Sequence, residues 1–263
     1  MIGFGELRKF SAQWQVDITA VERVYVIDWL LKGIFDDPSL AQSLALRGGA
    51  ALRYAYCAIF PLADDPDLYS TRPLPDDQVR EALASALGSA ASASGLKFSL
   101  VAYERGGGKI EYTGPLGRRS AAQPRVSISI VTRQARLELA RAPLLHPFSD
   151  ACTATLNAVA LDEMVGEQMA ALAGSPRTRD VYDLWFALTQ LRERVNMKRV
   201  REIAPAIARE RNLALPLQDA IFSAAHRAIL ERAWDNALRD VRGHPSFEQV
   251  EKDLQRALEV FES

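Results

Sequence analysis

Cysteine is nearly missing from the chain: its 263 residues hold only Cys57 and Cys152, both in apolar surroundings and without C-x-x-C spacing. That excludes a disulfide framework or a cysteine-based zinc site and fits thiols kept reduced inside a cell. Histidine is almost as scarce. His146, His226 and His244 show neither metal-ligand nor triad spacing, so no catalytic histidine is expected. Net charge is close to nil at -1, which leaves no overall electrostatic signature of a nucleic-acid or membrane binder. No apolar run approaches the roughly 20 residues that span a bilayer, and the opening MIGFGELRKFSAQWQVD has no long apolar segment and no small-residue cleavage site. A cytoplasmic protein without membrane contact is expected.

What the chain does have is an ordinary globular composition, 48% hydrophobic, enough for one large domain or two modest ones. Apolar residues at helical spacing in DITAVERVYVIDWLLKGIFDD, with Asp17 or Thr19 as N-cap, predict an amphipathic helix at the start of the chain. A short helix or turn follows Pro38. LALRGG then reads as a strand broken by two glycines, AALRYAYCAIF as a helix, and DDPDLYS as a second strand. QVREALASALGSAASAS is a helix ending near Gly95. From Leu96 to about Leu145 the period becomes two: LKFSLVAYE, KIEYTG, RVSISIVT and ARLELARA predict strands, mostly in hairpins. A last strand, TATLNAVAL, precedes helices broken at Gly174, Asn196, Pro216 and Gly243. The order implies an α+β fold: residues 1–160 as a mixed sheet flanked by helices, and 161–263 as an all-helical region packed on it.

Asp65 and Asp67 are two apart, so on a strand they share a face and reach one hard divalent cation. The same residues around Pro66 also make a solvated turn. Gly48 and Gly49, just before a helix, present backbone N–H groups to phosphate or form a plain tight turn. The order strand, Gly-Gly, helix, Asp-x-Asp brings both features to one end of a sheet. Later in the chain Asp180 and Asp183 lie three apart at a helix start, with Arg177 and Arg179 beside them. A first-turn carboxylate also complements the helix dipole without further role. Arg133, Arg136, Lys198, Arg199, Arg201 and Arg209 form basic clusters that suit RNA phosphates or a solvated face balanced by Glu.

The series VERVYVIDWLL, LRGGAALRYAY, DDPDLY, KIEYTGPLG, VSISI and RTRDVYDLWFAL resembles the AbiEii/AbiGii-type nucleotidyltransferase toxins, in register from about residue 17 to 190. The family pattern is Lys-Gly-Gly-Thr-Ala-Leu, Arg-Phe-Ser-x-Asp-x-Asp, a Glu-Lys-Leu helix, then Arg-Asp-x-Tyr-Asp-Leu, of which RDVYDL is whole. The resemblance implies a polymerase-β-like nucleotidyltransferase fold for residues 1–160. It implies Mg²⁺ on Asp65 and Asp67, the triphosphate of an NTP along Gly48 and Gly49, and completion of the site by Asp180, Arg179 and Asp183. Gln168 takes the family's lysine position. The implied activity is Mg²⁺-dependent transfer of a nucleoside monophosphate to an RNA, such as tRNA, or to a protein, in a toxin–antitoxin or phage-defence pair with a cognate antitoxin.

The chain departs from the pattern at Ala50, Pro61, Leu62, Ala63, Ser129 and Gln168. Removing one charged group that stabilises the transition state typically slows a reaction roughly 100- to 1000-fold, and Gln168 donates hydrogen bonds without charge. Ser129 falls where a sheet carboxylate is usual, and Glu138 on the following strand is the nearest replacement. The departures favour the alternative of a catalytically degenerate, nucleotide- or partner-binding regulatory protein.

Overall fold

The opening residues, expected only to lack a leader, form a helix, α1 (Phe4–Trp14), whose Phe10 and Trp14 rings lie 4.9 Å apart and pack with Phe148. The computed structural model describes residues 1–60, 65–117, 123–175, 177–213, 221–239, 241 and 243–259. They fall into two units, Met1–Val159 and Ala160–Ser263.

In the first unit Asp17 caps α2 (Ile18–Asp36) by accepting from the Thr19 amide at 2.8 Å. The expected amphipathic helix is instead buried on almost every side, Glu22 and Asp28 included, because α1, α5 and β7 all pack on it. Gly33 is required there: a Cβ would run into the Ala86 carbonyl of α5. α3 (Pro38–Ala41) is capped by Asp37, and β1 (Leu44–Leu46) follows. α4 (Gly48–Ala51) runs into a π-helical turn, Leu52–Tyr56. β2 (Asp67–Ser70) leads to α5 (Asp76–Ser94), closed by Gly95 at φ +75° as the sequence indicated.

β3 (Lys97–Glu104), β4 (Gly107–Thr113) and β5 (Arg125–Thr132) form the expected antiparallel run. With β6 (Ala140–Pro143) and β7 (Thr155–Ala158) they complete a seven-stranded mixed sheet of order β3-β4-β5-β2-β1-β7-β6. β2 is parallel to β5 and antiparallel to β1, which is parallel to β7. The expected ARLELARA strand shrinks to β6. Both edges of β5 are already taken by β4 and β2, so the chain leaves the sheet after Thr132 and re-enters at the far edge beside β7. Glu138 precedes β6, and three strands separate β6 from β5, so Glu138 does not stand in for a carboxylate at Ser129.

The second unit is helical over its described residues: α6 (Leu161–Gly174), α7 (Thr178–Thr189), α8 (Met197–Glu210), α9 (Ala224–Ala237) and α10 (Phe247–Glu259). α6 packs on α7 and α8, and α7 packs on α9 and α10. Asn196 starts α8 by accepting from the amides of Lys198 and Arg199 at 3.1 and 3.3 Å. The expected break at Pro216 lies outside the described residues.

Candidate active site

β1 and β2 deliver the glycine turn and the carboxylate strand together. The amide of Arg47, one residue past β1, donates to the Asp67 carbonyl at 3.0 Å. Gly48 then turns at φ +58°, a conformation that costs glycine little, and an added Cβ would meet nothing within 4 Å. The requirement for glycine is therefore conformational and leaves the turn open. Gly49 is buried within α4.

Asp67 is exposed and begins β2, with Ser129 of β5 as its parallel neighbour. The register thus places a hydroxyl where a nucleotidyltransferase sheet usually offers a carboxylate. Asp65 does not share the strand, a correction to the expected pair on one sheet face. Pro66 has no amide to donate, the strand starts only at Asp67, and the Pro66 carbonyl accepts from the Ser129 amide at 3.0 Å. The Asp65 carboxylate turns to its surroundings instead: Oδ1 accepts from Arg23 Nη2 of α2 and from the Ser127 amide at 3.0 Å, while Arg23 Nη1 reaches the Arg125 carbonyl at 2.9 Å. Pro61, Leu62 and Ala63 lie outside the described residues.

Three arginines gather at this end of the sheet, of which the sequence singled out only Arg133, as part of a basic cluster. Arg23 holds Asp65. Arg47 places its guanidinium 4.7 Å from the centre of the Tyr69 ring, and its buried Nε has no hydrogen-bond partner among the described residues. Arg133 Cζ lies 5.6 Å from the same ring and Nη1 donates to the Tyr69 hydroxyl at 3.2 Å. Tyr69 is two residues from Asp67 on β2, so positive charge gathers on the strand face that carries the carboxylate. Arg47 was detectable, since it occupies the lysine position of the family's Lys-Gly-Gly run.

The remaining expected residues lie in the second unit. Gln168 on α6 and Asp183 on α7 are buried, and Gln168 Nε2 donates to Asp183 Oδ2 at 3.3 Å. Gln168 Oε1 is buried without a partner among the described residues. Asp180, one turn before Asp183, instead sits near the surface, accepting from Arg177 Nε at 2.8 Å; Arg179 is exposed. In the basic clusters, Arg199 lies 3.7 Å from Asp162, and Arg209 Nε bonds the Pro205 carbonyl at 3.2 Å.

A second polar centre went unseen in the sequence. His146 Nδ1 is 2.8 Å from Asp28 Oδ2 and Nε2 is 3.0 Å from Asp150 Oδ1, and the Tyr25 hydroxyl donates to Asp150 Oδ2 at 2.6 Å. Burial pushes the Asp28 carboxyl up to about 6 despite the His146 and Arg53 charges that pull it down. Burial opposes a charged His146, yet its bonds to Asp28 and Asp150 raise its pKa overall. No serine or cysteine among the described residues hydrogen-bonds this imidazole, so the cluster pins residues 146–150 to α2 rather than activating a nucleophile.

The chain matches, over residues 29–260, the family described as nucleotidyl transferase AbiEii toxin of type IV toxin–antitoxin systems. It belongs to the AbiEii family. Among solved structures, MenT4, a nucleotidyltransferase toxin from Mycobacterium tuberculosis H37Rv, is similar in fold: TM-score 0.75 at 14% identity, covering 100% of this chain and 90% of that one. No curated protein matches significantly in sequence. The AbiEii assignment and the mixed sheet together establish an α+β nucleotidyltransferase toxin fold. No helix among the described residues is long and apolar enough to cross a membrane.

Proposed function

We propose that this AbiEii protein transfers a nucleoside monophosphate from an NTP to an RNA acceptor, with Asp67 at the centre of the site. The observation that carries the reading is the bond from the Arg47 amide to the Asp67 carbonyl, which ties the open glycine turn to the carboxylate strand. The triphosphate lies along Gly48 and Gly49, where Arg47 and Arg133 supply positive charge. An acceptor hydroxyl oxygen attacks the α-phosphorus, the bond to the bridging oxygen breaks, pyrophosphate leaves, and the hydroxyl proton passes to water. Asp180, Arg179, Asp183 and Gln168 of the helical region are the further residues assigned to nucleotide transfer, and a cognate antitoxin restrains the activity in a cytoplasmic toxin–antitoxin or phage-defence pair.

The donor set fits Mg²⁺. Asp67, the Asp65 oxygen Oδ2 not engaged by Arg23 and Ser127, and the Ser129 hydroxyl are hard oxygens of the kind that Mg²⁺ takes, and they are the residues that would hold it. Bound there, Mg²⁺ would offset phosphate charge and orient the leaving group. Arg23 tempers the Asp65 charge, and Ser129 adds none.

Those two features favour a second reading, a regulatory protein that binds Mg²⁺–NTP without turnover. Purified protein with each of the four α-labelled NTPs, Mg²⁺ and total tRNA separates the two. Transfer reading: label enters RNA and is lost in Asp67→Asn. Label that persists in Asp67→Asn overturns the assignment of Asp67, and Mg²⁺-dependent NTP binding with no label in any RNA supports the second reading.

A further inference from the structure

α1, α2 and the chain after the π-helical turn border a partly open cavity of about 300 Å³, a size at the lower end for small-molecule sites. Its walls are mostly apolar, with Trp14, Val16, Ala20, Val24 and Phe60 among them and Gln13 as a polar exception, and none belongs to the glycine turn or the carboxylate strand. Arg53 also lines it. That side chain is only 2% exposed, and a cation this deep is normally matched by a carboxylate.

Arg53 has no carboxylate within ion-pairing distance among the described residues. Nη1 donates to the Ala58 carbonyl, and Cζ lies 4.9 Å from the Trp14 ring centre and 6.0 Å from that of Tyr54. Ring faces compensate a buried cation in part, but they leave the other guanidinium donors unused. Asp28 feels the charge of Arg53 from beyond ion-pairing distance, with Oδ2 on His146 at 2.8 Å and Oδ1 buried without a hydrogen-bond partner among the described residues. The cavity therefore offers a buried, planar hydrogen-bonding cation and, apart from Gln13, a largely hydrocarbon wall.

We propose that this cavity binds a small amphipathic monocarboxylate, its head on Arg53 and its flat or short-chain body against Trp14, Val16, Val24 and Phe60. The guanidinium fork matches a carboxylate with two parallel hydrogen bonds. A single cation among apolar walls suits one negative charge and disfavours a triphosphate, so the ligand differs from the nucleotide of the glycine turn. Ile59, 76% exposed beside the cavity, supplies an apolar rim.

Isothermal titration of the full chain with octanoate and indole-3-acetate, each beside its neutral amide and with ATP as a further probe, tests the assignment. At least one acid binds saturably at one site, with its amide and ATP at least about tenfold weaker. Ala20→Leu, which fills the cavity without touching the charge, and Arg53→Met each weaken the acid at least about tenfold. If Arg53→Met does not fold, Ala20→Leu decides alone. Equal binding of acid and amide, ATP competing at equal affinity, no saturation at millimolar acid, or unchanged binding in Ala20→Leu overturns the proposal.

Discussion

Replacing Asp28 by asparagine removes a titrating group from the buried cluster while keeping its shape. Burial raises the Asp28 carboxyl from its ordinary 3.8 to about 6, and the opposing pull of His146 and Arg53 does not reverse it. Between those values the folded chain holds a proton that the unfolded chain has released. The stabilisation is complete below pH 3.8 and is lost as pH rises to about 6. At about 1.4 kcal/mol per pH unit the full swing is about 3 kcal/mol. His146 has the same sign: burial works against its charge, its partners win, and its contribution is present below about pH 6.5 and disappears as pH rises through the raised folded value. Asp150 has the opposite sign. Burial would raise it, but bonds from Tyr25 and His146 hold it below its ordinary value, so its contribution is present above pH 3.8 and fades as pH falls through the folded value. Urea unfolding from below pH 3.8 to neutral pH measures the sum. Wild type loses about 3 kcal/mol across the Asp28 window and more through the His146 titration. In Asp28→Asn the first loss vanishes and the second shrinks, because Asp28 is foremost among the partners that raise His146 against its burial. Parallel pH profiles for the two proteins would refute the reasoning.

Three further outcomes follow from packing and capping. Gly33→Ala drives a methyl into the Ala86 carbonyl and lowers stability by about 1–3 kcal/mol in urea melts, whereas Gly88→Ala, on the exposed side of α5 with open space at its Cβ, raises it by about 0.5–1 kcal/mol. Asn196→Ala removes the two amide bonds that start α8 and costs about 1 kcal/mol, read as a lower thermal midpoint.

The elements that the sequence revealed are those written in local chemistry: Asp17 before α2, Gly95 after α5, and the period-two run that became β3, β4 and β5. α1 was not legible, since its apolar side is completed by Phe148, far along the chain. β6 was overextended because strand period says nothing about which sheet edge is vacant. At the candidate site, the turn at Gly48 and the strand that starts at Asp67 were legible from their spacing. Arg23 beside Asp65, Arg133 beside Tyr69 and His146 beside Asp28 were not, since they join residues 42, 64 and 118 positions apart. Pro66 carried a true warning that the strand stops short of Asp65.

The parallel pairing of β2 with β5 also has a temporal side. Asp67 leaves the ribosome 58 residues before Arg125, the first residue of β5, and β7 starts only at Thr155. At about 5–20 residues per second, roughly 3–12 s of synthesis separate the carboxylate from the strand that must lie beside it. Throughout that interval β2 has one partner strand at most, and its other edge is open to chaperones and to misplaced pairing. An interrupted chain can therefore carry Asp65, Asp67 and both glycines and still lack the sheet that holds them in place. For a member of a toxin family, the topology delays assembly of the strand pair until about half the chain has been made.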